Sequence, residues 1–228
     1  MKRRLACFFL ACLLLPAFAA CNQAETPARD DTLQIVSTIF PPYDWLREIL
    51  GDDAARAELT LLLSSGVDLH SYQPSADDII KISTCDMLIY VGGASDSWVA
   101  DAHKIATNEN MILISLLDVL GDAVKEEQFK EGMEHEHEDE HEDEDDHEHG
   151  AYCELDEHVW LSLRCAQTLC AHLAAQLSAL DATHAAVYQE NAAAYIERLS
   201  AMDSKYRDAL ADAAFDTLLF AEIGRAHV

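Results

Sequence analysis

His70 and His158 sit in surroundings that suit chemistry. His70 lies in Gly66-Val67-Asp68-Leu69-His70-Ser71-Tyr72-Gln73-Pro74, directly after an apolar run. His158 lies in Asp156-Glu157-His158-Val159-Trp160-Leu161. A neutral imidazole nitrogen is both a good transition-metal ligand and an ordinary hydrogen-bonding group. Taken singly, each of these histidines reads more often as a hydrogen-bonded structural residue than as a ligand. Between them, residues 134–149 consist only of histidine (five) and aspartate or glutamate (eleven). There His135, His137, His141, His147 and His149 are interleaved with carboxylates, the composition of a weak, multi-ligand collector of metal cations. Surrounding negative charge favours protonated imidazole, so protons and metal compete near neutral pH. The plainer reading is a solvating tract that binds metal incidentally. His137-Glu138-Asp139-Glu140-His141 matches the HExxH pattern of zinc hydrolases. A catalytic helix of that kind needs an apolar face to fix its histidines, and every neighbour here is charged or histidine, so the hydrolase reading is rejected.

The elements that must hold these residues alternate between two hydrophobic periods. Strands are predicted at Leu33–Ile39, Leu59–Leu63, Met87–Val91 and Met111–Ile114, where β-branched and apolar residues run together. Helices are predicted from Tyr43 to Leu50, after Pro41-Pro42 breaks the first strand, from Ser75 as cap through Ile82, from Trp98 to Ala106, and from Leu163 to Leu180. Asp181 then opens an Ala-rich stretch through Ala214 without Gly or Pro, about 45–50 Å of helix at ~1.5 Å per residue, read as a strut. Strands alternating with helices imply an α/β fold with a mostly parallel sheet, whose ligands bind beyond the carboxyl ends of the strands. The acid/His tract has no apolar residue and is expected to be a surface loop.

The chain has 228 residues, 15 Lys+Arg against 42 Asp+Glu, and a formal net charge of −27, of which the tract supplies −11. Half of the residues are hydrophobic, enough for a buried core. The charge argues against nucleic acid as a partner, because phosphate binding needs clustered Lys and Arg. Lys2-Arg3-Arg4, the apolar stretch Leu5–Phe18 and Ala19-Ala20 before Cys21 form a signal peptide ending in a lipobox-like site. Cys21 is expected to be lipidated, with 22–31 as tether. Of seven cysteines, Cys85, Cys153, Cys165 and Cys170 remain in the mature domain. Free thiols and a disulfide are both open, and four cysteines allow three full pairings.

Thr38-Ile39-Phe40-Pro41-Pro42-Tyr43-Asp44, Gly66–Pro74, Tyr90-Val91-Gly92-Gly93 with Ser95-Asp96-Ser97-Trp98-Val99, Asp156–Ser162 and the long helix from Asp181 resemble, in order and spacing, one family. It is that of the metal-specific substrate-binding lipoproteins of bacterial ABC importers, cluster A-I, zinc-uptake type. The resemblance implies a C-clamp of two parallel-sheet α/β lobes joined by a long rigid helix, with metal bound between them and no enzymatic activity. It assigns His70 and His158 as imidazole ligands from the first lobe. It favours Zn²⁺ over Mn²⁺, since members with His/acid-rich loops are zinc binders, while oxygen ligands from a second lobe would shift selectivity towards manganese. The implied partners are the metal ion and an ABC permease, with the membrane reached only through the lipid anchor, outside the cytoplasm. A manganese-binding homologue and a surface adhesin are the competing readings on the same fold. The implied layout is a lobe at 32–180 with the His/acid loop at 133–150, a linking helix at 181–214 and the start of a second lobe at 215–221. With two cleft ligands from one lobe, the chain as recorded is expected to lack a tight tetrahedral site. Residues 222–228, EIGRAHV, can be encoded by a stretch containing a common sequencing-adapter sequence and are expected to be a non-native tail. His103, His172 and His184 read as surface or structural residues, Asp96 as a loop cap and Trp98 as a packing residue.

Overall fold

The computed structural model describes residues 32–63, 67–125 and 155–214. The signal peptide with Cys21, the tether, the acid/His tract, the beginning of a second lobe and residues 222–228 lie outside the described residues.

Four strands form one parallel sheet in the order β2-β1-β3-β4. They are β1 (Leu33–Ser37), β2 (Ala57–Leu61), β3 (Met87–Tyr90) and β4 (Ile112–Ser115). β1 pairs with β2 from Leu33↔Ala57 to Ser37↔Leu61, and with β3 from Ile35↔Met87 to Ser37↔Ile89. β3 pairs with β4 from Met87↔Ile112 to Tyr90↔Ser115. A parallel sheet covered on both faces needs continuous apolar runs rather than alternation. β3 shows this, with Met87, Leu88 and Ile89 all buried. Pairing continues past β2, where the Leu62 and Leu63 N–H groups donate to the Ser37 and Thr38 carbonyls at 3.0 Å each.

Between the strands run α1 (Phe40–Leu50), α2 (Ala76–Thr84) and α3 (Val99–Lys104), and β4 is followed by α4 (Leu116–Leu120), α5 (Leu163–Leu180) and α6 (Ala185–Leu210). α1 begins three residues earlier than its hydrophobic period suggests, because Pro41 and Pro42 occupy its first turn. Proline has no N–H to leave unpaired there and its φ is already helical. α2 is set by a complete capping box, in which the Ser75 side chain accepts from the Asp78 N–H and Asp78 accepts from the Ser75 N–H. α4 lacks a sequence signal of its own, since Ile112–Leu117 is one nearly continuous apolar run. The Ser115 hydroxyl, accepting from the Asp118 N–H, ends the strand and starts the helix within it.

α6 is shorter than the stretch from 182 to 214. The Asp181 side chain accepts from the Thr183 N–H, the Tyr188 hydroxyl and His184 Nδ1, at 3.2, 2.9 and 2.7 Å, and so shapes the turn between α5 and α6. Twenty-six residues correspond to about 39 Å. Its first half is packed rather than free: Tyr188, Ala192 and Leu199 are buried, and Asn191 Nδ2 donates to the Ile49 carbonyl at the end of α1 at 3.0 Å. Arg198 pairs with Glu48 of α1. Beyond Leu199, Met202, Tyr206 and Leu210 are exposed. Among the described residues no helix is long and apolar enough to cross a membrane. Cys85, Cys165 and Cys170 are free thiols, and burial pushes the Cys85 and Cys170 thiols up to about 12. Cys153 lies outside the described residues.

Candidate metal site

The loops after β1, β2 and β3 meet at the carboxyl edge of the sheet, the edge at which open α/β sheets bind ligands. A cavity of about 410 Å³ opens there. Apolar residues such as Ile39, Phe40, Leu61 and Leu63 line it together with Asp68, His70, His158 and Trp160.

His70 and His158 come together in this cavity, their ring centroids 5.4 Å apart and the planes inclined by 57°. A Zn–N bond of ~2.0–2.1 Å plus the half-width of the ring, opened to the tetrahedral angle, puts two coordinated imidazole centroids roughly 5 Å apart. The observed spacing therefore suits one ion between the two rings.

Each histidine is placed by the same local device. Asp68 ends the loop after β2 and its carboxylate accepts the His70 backbone N–H at 3.1 Å, which starts a single 3-10 turn. Asp156 does the same for the His158 N–H at 2.9 Å. Asp-x-His is thus the repeated unit, the aspartate turning the chain so that the histidine two residues on faces the cavity. The Nδ1 atoms are tied as well. His158 Nδ1 lies 3.0 Å from Asp156 Oδ1, and His70 Nδ1 lies 2.9 Å from Ser95 Oγ. Both rings are left with Nε2 for a ligand. Trp160 packs on His158 at 5.3 Å between centroids.

Glu157 is a site residue without a sequence signal. The side chains of its neighbours Asp156 and His158 are nearly half exposed, yet its own is only one-tenth exposed. Glu157 Oε1 accepts the Ser95 backbone N–H at 3.1 Å, and Oε2 lies 3.7 Å from His70 Nδ1. Beneath this layer Asp96 caps the loop, accepting the Val91 and Gly92 N–H groups at 2.7 and 3.1 Å. Burial pushes the Asp96 carboxyl up, opposed by those two N–H bonds and reinforced by the nearby Glu157. Trp98 packs edge-on against Tyr72 at 5.9 Å. His103 is exposed on α3, His172 lies 3.4 Å from Gln176, and His184 bonds Asp181, so these three stand apart from the cavity. Among the described residues no group of three or more His, Cys, Asp or Glu side chains is placed to hold a metal ion. The cavity offers two imidazoles.

A family model described as "ZnuA: Zinc-uptake complex component A periplasmic" matches residues 35–222. The high-affinity zinc uptake system protein ZnuA of Bacillus subtilis is 34% identical over 201 residues, covering 86% of this chain and 58% of that protein. The zinc-binding lipoprotein AdcA of Streptococcus pneumoniae is 32% identical over 208 residues, covering 90% of this chain and 38% of that protein. The chain therefore spans well under two thirds of these relatives' lengths. Among solved structures, the Zn(II)-bound ZnuA-like domain of Streptococcus pneumoniae AdcA aligns with a TM-score of 0.59 at 28% identity, over 80% of this chain and 57% of that one. A laminin-binding adhesin of Streptococcus agalactiae shares the fold, with a TM-score of 0.61 at 19% identity over 80% of this chain and 59% of that one. With the match spanning the whole sheet, both histidine loops and the long helix, the chain belongs to the ZnuA family of zinc-uptake binding components, which are not enzymes.

Proposed function

We propose that this protein is a lipid-anchored, extracytoplasmic solute-binding protein that captures Zn²⁺ at His70 and His158 and hands it to an ABC import permease. The observation that carries the reading is the 5.4 Å approach of two imidazoles whose Nδ1 atoms are already engaged. Imidazole nitrogen suits Zn²⁺ better than the oxygen-preferring Mn²⁺. Two imidazoles fill two of four tetrahedral positions. The others fall to groups outside the described residues or to water, in keeping with a clamp whose second lobe faces this one. The zinc-binding names of the relatives support the same cargo. The adhesin likeness, at 19% identity, speaks for the fold alone.

Competition for zinc against a chromophoric chelator tests the reading. The protein extended to a complete second lobe binds about one Zn²⁺ tightly, and His70→Ala and His158→Ala each abolish that binding. Tight binding that survives in both variants overturns the assignment.

A further inference from the structure

Glu157 belongs to neither ligand, yet the loops are built around it. Ser95 holds Oε1 through its backbone N–H, and the same oxygen fills the space that a side chain at Gly93 would take. Gly93 has φ +76, and a Cβ there would overlap Glu157 Oε1. Only glycine both adopts that backbone and leaves room for the carboxylate. The side chain is thereby fixed with Oε2 directed at His70 Nδ1, 3.7 Å away, buried and without a hydrogen-bond partner among the described residues.

We propose that Glu157 is a positioning residue that sets the tautomer of His70, holding the imidazole proton on Nδ1 and leaving the Nε2 lone pair for a cation. Ser95 cannot make this choice. Its hydroxyl, 2.9 Å from Nδ1, donates to a lone pair as readily as it accepts from an N–H. The carboxylate only accepts. A lone pair on Nδ1 would set an acceptor against a carboxylate oxygen that is itself buried, whereas an N–H there meets that unpartnered oxygen from the half-exposed ring. His158 receives the same instruction from Asp156, 3.0 Å from its Nδ1. Each ring is thus assigned its own carboxylate, one buried and one partly exposed. This carboxylate–imidazole arrangement also raises the basicity of a metal-bound nitrogen. The purpose of the free Nε2 rests on the zinc-capture reading; the tautomer itself does not.

Long-range ¹⁵N–¹H correlation of the imidazoles, recorded on the metal-free full chain, tests the role. In the native protein His70 carries its proton on Nδ1. In Glu157→Gln the retained carbonyl still accepts from Ser95, while the amide NH₂ replaces Oε2 and donates to Nδ1, so the proton moves to Nε2. Zinc affinity falls about 10- to 100-fold, and His158 keeps its tautomer. A native His70 protonated on Nε2, or the same His70 tautomer in both proteins, overturns the proposal. Should Glu157→Gln fail to fold, Ser95→Ala serves instead: His70 keeps the Nδ1 proton because the carboxylate remains, and a change of tautomer overturns the proposal. A native chain with the expected tautomer that binds no zinc, even with its second lobe supplied, upholds the positioning role and overturns the capture reading. Tight zinc binding with an unmoved tautomer does the reverse.

Discussion

A histidine is ready to take a metal when one ring nitrogen is tied and the other is free. His158 meets this through Asp156 alone, since one carboxylate oxygen receives both the backbone N–H and Nδ1. Asp156→Ala is expected to weaken zinc binding by about tenfold, less than loss of the histidine, because it frees the ring without removing it. Chelator competition measures that loss. Trp160 reports on the same event. Its ring lies 5.3 Å from His158, so zinc should change the tryptophan emission of the native protein, and Trp160→Phe should suppress most of that change. The two histidines could be picked out of the sequence because each sits in a distinctive segment, but their meeting followed only from the family resemblance, since nothing local brings residues 70 and 158 together. Glu157 was illegible for a stronger reason. Its burial is produced by Gly93 and Ser95, more than sixty positions away, and in the chain it looks like one more acidic residue after an acidic tract.

The elements divide in the same manner between local and distant causes. Strand and helix order follows from apolar runs and caps, and α2 is the clearest case because its box lies wholly within Ser75–Asp78. Ser75→Ala should cost about 1 kcal/mol of unfolding free energy in urea, with zinc affinity unchanged because α2 stands apart from the cavity. The starts of α1 and α6 are less legible. Prolines read as strand breakers turn out to open a helix, and Asp181, read as the opening of the long helix, serves as a three-way acceptor at the α5–α6 turn. Burial works against the Asp181 charge, but hydrogen bonds from Tyr188 and His184 outweigh it and hold the carboxyl below its usual range. A carboxyl depressed in the folded state stabilises above its unfolded pKa of about 3.9 and loses that contribution as pH falls through the folded value. The thermal midpoint of the native protein should therefore drop on acidification below about pH 4 more steeply than that of Asp181→Asn. Equal slopes would assign the turn's stability to packing around Tyr188.

For the molecule as a whole, the charge of −27 is not spread evenly. The run 134–149 holds eleven of those charges with five histidines, and the segment containing it rejoins the described fold at Leu155, close to Asp156 and His158. Its placement next to the cavity in the chain suits a cation collector, and deletion of 134–149 should remove several weak zinc sites while leaving tight binding intact. Calorimetry with unchanged stoichiometry would assign the tract to solvation. The remaining acidity belongs to a parallel α/β fold that the hydrophobic pattern already indicated, with α5 legible over its whole length and α1, α3 and α6 differing at their ends. The pairing of His70 with His158 around one ion is tested most directly by zinc K-edge X-ray absorption, on protein lacking 134–149 and loaded with one zinc per chain. The expected first shell contains at least two imidazole nitrogens at ~2.0–2.1 Å. A shell with one imidazole or none, or one dominated by sulfur at ~2.3 Å, would contradict it.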